Sequence, residues 1–172
     1  MITVDSNPER EAALRQAFAC FPSGVTAMCA LFDDEPIGMA VSSFTSVSME
    51  PPLLSVCVQN TSSTWPKLRE RPRLGLSVLA EGQAVAGRRL AMKTGDRFAD
   101  LALHPTTDGA LFVLGAAAWF DCSIQAEVPA GDHMVVLLEV HGLQAEPDVA
   151  PLVFHGSRFR RLDARELVAE AS

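Results

Sequence analysis

Residues 38–64 read GMAVSSFTSVSMEPPLLSVCVQNTSST, and the pattern of this stretch decides the fold. Ser42, Ser43, Thr45, Ser46 and Ser48 put five hydroxyls within seven residues. That is more than a purely apolar barrel wall carries unless something polar lies against it. After Pro51-Pro52, the run Leu53 to Val58 reads as a buried strand. It feeds Thr61, Ser62, Ser63 and Thr64, which precede a short helical run, Trp65 to Arg71, ended by Pro72. Two readings of this second hydroxyl cluster stand. One is an ordinary helix cap, in which a hydroxyl accepts from an unpaired backbone N–H. The other is a seat for a phosphorylated ligand, because those N–H groups carry partial positive charge.

Working outward, Asn7-Pro8 signals a helix start, and Leu14, Ala17 and Phe18 give that helix one apolar face. The helix, 8–20, stops before Pro22. Val25 to Phe32 and Ile37 to Val47 are predicted strands joined by the turn Asp33-Asp34-Glu35-Pro36. Leu74, Leu76 and Val78 alternate with Gly75 and Ser77 in another strand. Glu81 to Met92 is helical and ends in the polar loop Lys93-Thr94-Gly95-Asp96, while Leu103 to Gly109 is a connection without clear periodicity. Gly115 to Glu127 and Met134 to Gln144 are longer strands separated by a hairpin-like link, Val128 to His133. Pro151 to His155 and Ser157 to Leu162 are the last short strands, before a polar helical tail, 163–172. Short strands with turn signals and few helices make the chain mainly β with flanking helices, a closed antiparallel barrel rather than a βαβ sheet. Core packing is expected for Phe44, Val47 and Phe98.

A chain of 172 residues, 48% of them hydrophobic, buries one sizeable core and has no room for two typical domains. The expectation is a single domain, 1–172, with the barrel at about 22–162. A net charge of −7 argues against a nucleic-acid partner, which needs a basic stripe. The local clusters at Lys67, Arg69, Arg71 and Arg73, at Arg88 and Arg89, and at Arg158, Arg160 and Arg161 read as solvated faces. No apolar run approaches the roughly 20 residues that span a bilayer, and the start MITVDSNPER lacks the features of a signal peptide, so no membrane association and a cytoplasmic location are expected. Cys20, Cys29, Cys57 and Cys122 make no C-x-x-C pair and no metal-ligand pattern with His104, His133, His141 or His155; they read as buried reduced thiols, with no metal. Asp96-Arg97 reads as a surface ion pair of small energetic weight. Dinucleotide G-x-G-x-x-G, phosphate-loop, G-x-S-x-G and H-E-x-x-H patterns are absent from the sequence.

A set of short motifs then recurs in order: Phe21-Pro22-Ser23-Gly24-Val25-Thr26, Gly38-Met39, Ser42 through Ser48, Pro51-Pro52-Leu53, Arg89-Leu90-Ala91, Asp96-Arg97-Phe98, Gly131-Asp132-His133 and Pro151 through Phe154. Together they resemble, over nearly the whole chain, the short-chain flavin reductases with the FMN-binding split-barrel fold. The resemblance implies an antiparallel split β-barrel and an NAD(P)H:flavin oxidoreductase. Such an enzyme takes hydride from NADH, with NADPH as the alternative donor, and reduces FMN, with FAD as the alternative flavin. It supplies the reduced flavin to a separate flavin-dependent monooxygenase. The resemblance also implies a homodimer whose interface adjoins the flavin site. Two other activities share the barrel: a flavin-binding sensor or carrier without reductase activity, and a flavin oxidase acting directly on a small organic substrate.

By the same resemblance, Met39, Ala40, Val41, Ser42 and Ser43 lie along the flavin ring and ribityl chain. Ser55, Val56 and Cys57 continue that wall, and Gln59, Thr61, Ser62, Ser63 and Thr64 approach the ribityl and phosphate. Arg89, Leu90 and Ala91 match an Arg-Phe-Ala run, with Leu90 in place of the aromatic residue. His133, by its sequence context a surface histidine after a Gly-Asp turn, falls beside the nicotinamide in relatives. This makes it the catalytic candidate, with a role of hydrogen bonding and positioning. Ser23, Phe154 and Arg158 are the remaining nicotinamide-side candidates. Phe159 stands where many relatives carry Tyr, so that phenol's hydrogen bond is lost. Arg158 and Arg160 are both suited to a 2′-phosphate on NADPH.

Overall fold

The computed structural model of the chain describes residues 9–162. The predicted tail, 163–172, and the predicted Asn7-Pro8 helix start lie outside the described residues. In chain order the elements are α1 (Arg10–Ala19), β1 (Ser23–Gly24), β2 (Thr26–Phe32), β3 (Glu35–Val41), β4 (Thr45–Met49), β5 (Pro52–Gln59), α2 (Trp65–Leu68), β6 (Leu74–Val78), a 3-10 turn (Glu81–Gln83) and α3 (Ala84–Leu90). They continue as β7 (Leu103–Pro105), β8 (Leu111–Val113), β9 (Ala118–Ala130), β10 (His133–Ala145), β11 (Val153–His155) and β12 (Arg158–Arg160).

Seven strands form one antiparallel sheet in the order β3-β2-β6-β9-β10-β5-β4. Strands β3 and β4 are consecutive in the chain yet occupy opposite edges. The predicted strand Ile37 to Val47 is therefore two strands, and Ser42–Phe44 is the crossing between them. This crossing curls the sheet so that β3 comes back against β5. Among the described residues no ladder closes the ring. Ser43 closes it instead: its Oγ accepts from Cys57 N at 2.7 Å and donates to Cys57 O at 3.2 Å. The result is an antiparallel split barrel, where periodicity alone suggested a fully closed one.

Burial explains why β2 reads as a continuous apolar run. Met28 and Ala30 point into the barrel with Leu54, Val56, Val58, Leu74, Leu76, Val136 and Leu138, while Ala27 and Cys29 face a second core with Leu79, Ala86, Leu90, Leu111 and Leu152. A strand buried on both faces loses the period-2 signal. Burial pushes the Cys29 and Cys122 thiols up to about 12, so both are inert at neutral pH. Cys20, expected to be buried, is exposed at the end of α1, and Cys57 is half-buried.

Four other expectations are corrected. Val47 is exposed because the register between β4 and β5 slips between Ser46 and Ser48, leaving it as the bulged residue. The connection after Leu103 contains the β7–β8 hairpin, whose three-residue strands are too short to show a period. Strand β9 runs on through Val128-Pro129-Ala130, so the link to β10 is only Gly131-Asp132, with Gly131 at φ +65°. Helix α2 is a single turn, ending at Leu68 rather than Arg71.

Candidate functional site

Where β3 swings past β5, the two strands leave a cleft of about 500 Å³. One wall is Met39, Ala40 and Val41 from β3, continued by Ser42 and Ser43 of the crossing. The opposite side is Cys57 and Gln59 from β5 with His133 from β10; Thr61 to Thr64 close one end, and Leu90 to Lys93, at the end of α3 and just beyond it, form a rim. Cys57 and Gln59 pair directly with Val135 and His133 across the β5–β10 ladder, which puts all four on one sheet face. The two-residue turn at Gly131-Asp132 fixes His133 as the first residue of β10, opposite Ala130.

The hydroxyls divide into committed and uncommitted groups. Ser43 is spent on the Cys57 backbone. Ser62 Oγ accepts from Trp65 N at 3.1 Å, so the cap reading applies to this one residue. Thr64 Oγ1 accepts from Arg97 Nη1 at 2.6 Å. Among the described residues, the hydroxyls of Ser42, Thr61 and Ser63 have no protein partner, and Lys93 has no carboxylate partner. An apolar wall, unspent hydroxyls and unpaired cations are the donor set that a flat ring bearing a polyol and a phosphate requires.

Arg97 is the residue that sequence reading missed. It makes no ion pair with Asp96. The Asp96 Oδ1 accepts from Phe98 N at 2.9 Å in a local turn, which frees the guanidinium to enter the cleft. There Nη1 donates to Gly38 O at 3.0 Å as well as to Thr64, linking β3 to the Thr61–Thr64 loop. The signal was the Asp96-Arg97-Phe98 triplet, which belonged to the ordered motif set. Met92 and Lys93 are further cleft residues outside the sequence-level candidates.

Other candidates fall elsewhere. Val56 is fully buried inside the barrel, and Ser55 lies on the outer sheet face opposite Leu137 without lining the cleft. Arg89 is turned to Asp100, 3.1 Å away. Ser23 and Phe154 are direct partners in the three-stranded sheet β1-β11-β12 with Arg158, a cluster that does not line this cleft. Asp132 Oδ1 lies 2.8 Å from His133 Nδ1. That hydrogen bond first, and the imidazole charge second, hold the Asp132 carboxyl below its ordinary range. With Nδ1 engaged, Nε2 is the ring atom left for a ligand.

Residues 18–163 match the family described as flavin reductase like domain. A flavin reductase of Pseudomonas putida is 35% identical, aligned over 82% of this chain and 84% of its own. The reductase subunit HsaB of a flavin-dependent monooxygenase from Mycobacterium tuberculosis is 33% identical over 80% of this chain and 73% of its own. The solved structure of a Streptomyces globisporus NADH:FAD oxidoreductase, in complex with NAD and FAD fragments, superposes with a TM-score of 0.87 at 35% identity, covering 95% of this chain and 98% of that one.

Proposed function

The chain belongs to the flavin reductase-like family, and from that membership we infer that it is an NAD(P)H:flavin oxidoreductase that supplies reduced flavin to a separate monooxygenase. The observation that supports this reading is the single cleft in which unspent hydroxyls, two cations and His133 converge around an apolar wall. Hydride transfer from a nicotinamide to a flavin needs no protein nucleophile; the protein supplies alignment, with reacting atoms about 3–3.5 Å apart, and shielding from water. Met39 to Val41 form the apolar wall against which the ring lies. Ser42, Thr61 and Ser63 meet the polyol, and Lys93 and Arg97 meet the phosphate. His133, fixed through Nδ1 by Asp132, orients the nicotinamide nucleotide through Nε2. An open cleft of this kind suits a flavin that arrives and leaves as a substrate.

The test is to mix purified protein, NADH and free flavin and to follow the nicotinamide absorbance. Rapid flavin-dependent oxidation is expected; a tight yellow protein that leaves NADH untouched would instead mark a flavin carrier. His133→Ala is expected to raise KM for NADH about tenfold, the cost of one lost hydrogen bond to a polar ligand, while flavin affinity moves less than about twofold. Wild-type NADH kinetics in that variant would remove His133 from the site.

The reductase works as a homodimer. Supporting this, the sheet face that carries Cys57, Gln59 and His133 continues into Leu53, Val135, Leu137 and the half-exposed Val128, an apolar surface running directly from the cleft. Leu137→Glu is expected to yield monomers in sedimentation velocity and to lower flavin affinity. A wild-type monomer with full turnover would contradict the assembly. The free thiols, including exposed Cys20, suit the reducing cytoplasm, where we place the enzyme. No helix among the described residues is long and apolar enough to cross a membrane.

A further inference from the structure

We propose that Glu127, which does not line the cleft, is a positioning residue for flavin: through the Trp65 indole it sets the loop Thr61–Thr64, and so where the polyol and phosphate of the ligand are met. The inference rests on the flavin reading above. Glu127 is out of place by pattern. Across strands β5, β10 and β9 it sits in one row with Val56 and Val136, both fully buried, and partners in an antiparallel row share a face. The row therefore aims a carboxylate at the inner face of the barrel, where it is 19% exposed. Burial of that kind costs stability unless donors meet the charge. Two do. Glu127 Oε1 accepts from Trp65 Nε1 at 2.9 Å, and Oε2 accepts from Arg69 Nη2 at 2.5 Å. A well-packed apolar side chain fills such a place at similar stability, so stability alone does not account for the acid.

What the carboxylate fixes is the indole. Trp65 is buried in the barrel core; burial holds a ring without choosing its rotation, whereas an N–H donating to a carboxylate on a strand does choose it. Trp65 also ends the loop. Its backbone N donates to Ser62 Oγ at 3.1 Å, and it directly follows Thr64, whose Oγ1 is the acceptor of Arg97 Nη1. The other end of the loop is held by the same hairpin: Asn60 N donates to Asp132 O at 3.0 Å, and Asn60 Nδ2 donates to Gly131 O at 3.1 Å. Strands β9 and β10 thus grip the loop twice, at the turn before His133 and at Glu127. The hydroxyls of Thr61 and Ser63 hang between these grips, on a segment that is neither helix nor strand. Their placement toward a ligand is only as firm as both. Loss of the Glu127 grip lets Trp65 and Thr64 shift together, and Thr64 carries the Arg97 guanidinium with it.

The experiment titrates the purified full-length chain by fluorescence quenching with FMN and with lumiflavin, the isoalloxazine ring without polyol or phosphate, and measures KM for NADH at saturating FMN. Glu127→Leu is expected to weaken FMN about tenfold and lumiflavin by less than about twofold, with KM for NADH within about twofold of wild type. Glu127→Gln keeps an acceptor for the indole and should bind FMN within about threefold of wild type. Trp65→Phe keeps an aromatic ring in the core without the N–H, and tests the same bond should Glu127→Leu fail to fold. It should weaken FMN about fivefold and leave lumiflavin within about twofold. A role confined to the fold would move both ligands alike. Equal losses of FMN and lumiflavin therefore overturn the proposal. So does FMN affinity within about twofold of wild type in the Leu and Phe variants, or a Gln variant as impaired as the Leu one. In each of these cases, binding of FMN by the wild-type chain leaves the flavin reading standing. If the wild-type chain binds neither FMN nor lumiflavin, both fall.

Discussion

Arg97→Ala is expected to weaken flavin binding about a hundredfold while leaving the barrel folded. The guanidinium acts twice. It links the β3 wall of the cleft to the Thr61–Thr64 end, Gly38 O and Thr64 Oγ1 lying at 3.0 and 2.6 Å, so its removal lets the two drift apart. It is also a cation beside the position assigned to the phosphate. Charge-assisted hydrogen bonds contribute about 1.5–3 kcal/mol each, so losing one partner to a ligand and relaxing the wall accounts for a hundredfold. Little of the hydrophobic core depends on Arg97, and the melting temperature is expected to fall by only a few degrees. Arg97→Lys keeps the charge but cannot span both acceptors, and should recover part of the affinity. A double-mutant cycle with Thr64→Val separates the wall-tying role from the charge, because only the first couples to Thr64. A flavin dissociation constant within threefold of wild type in Arg97→Ala would exclude the residue from the site.

The contrast between Arg97 and the hydroxyl segment shows what the sequence could carry. Residues 38–64 supply most of the cleft in one continuous run, so composition and spacing alone mark it as polar ground on a β framework. Arg97 arrives from a loop whose role depends on Asp96 choosing the Phe98 amide over its neighbour, a local competition invisible to pattern. Strand β5, with one face in the barrel, alternates in burial along its length, whereas the break at Ser42–Phe44 leaves no such pattern. Every residue there tolerates extended backbone, and only the closure of the sheet forces the crossing. Ser23, Phe154 and Arg158 illustrate the reverse limit: motif order gathers them, and the fold gathers them too, but in a sheet of their own away from the cleft.

Gly75→Val is expected to abolish folding, and Gly75→Ala to cost about 3 kcal/mol, near 10 °C in melting temperature. A Cβ at Gly75 would stand 2.4 Å from Leu111 O and 2.8 Å from Leu111 C. Both are backbone atoms of β8, so no side-chain rotation relieves the clash. Strand β8 cannot retreat cheaply. Val113 N is held by Ser77 Oγ at 3.0 Å, Leu31 N by Gly109 O at 2.8 Å, and Leu111 and Val113 are buried in the second core. Displacing the strand would break buried hydrogen bonds and expose that core, against a total stability of only about 5–15 kcal/mol. The small residues that alternate with Leu74, Leu76 and Val78 are therefore a seat for a crossing strand and not a solvent face. Gly82→Ala is the control: its Cβ meets nothing within 4 Å, and the melting temperature should hold. The second core also packs Ala86 and Leu90 of α3, which lead into the cleft rim. Gly75→Ala should consequently weaken flavin binding severalfold at temperatures where the protein is still folded. A variant with wild-type melting would mean that β8 does not lie on β6 in solution.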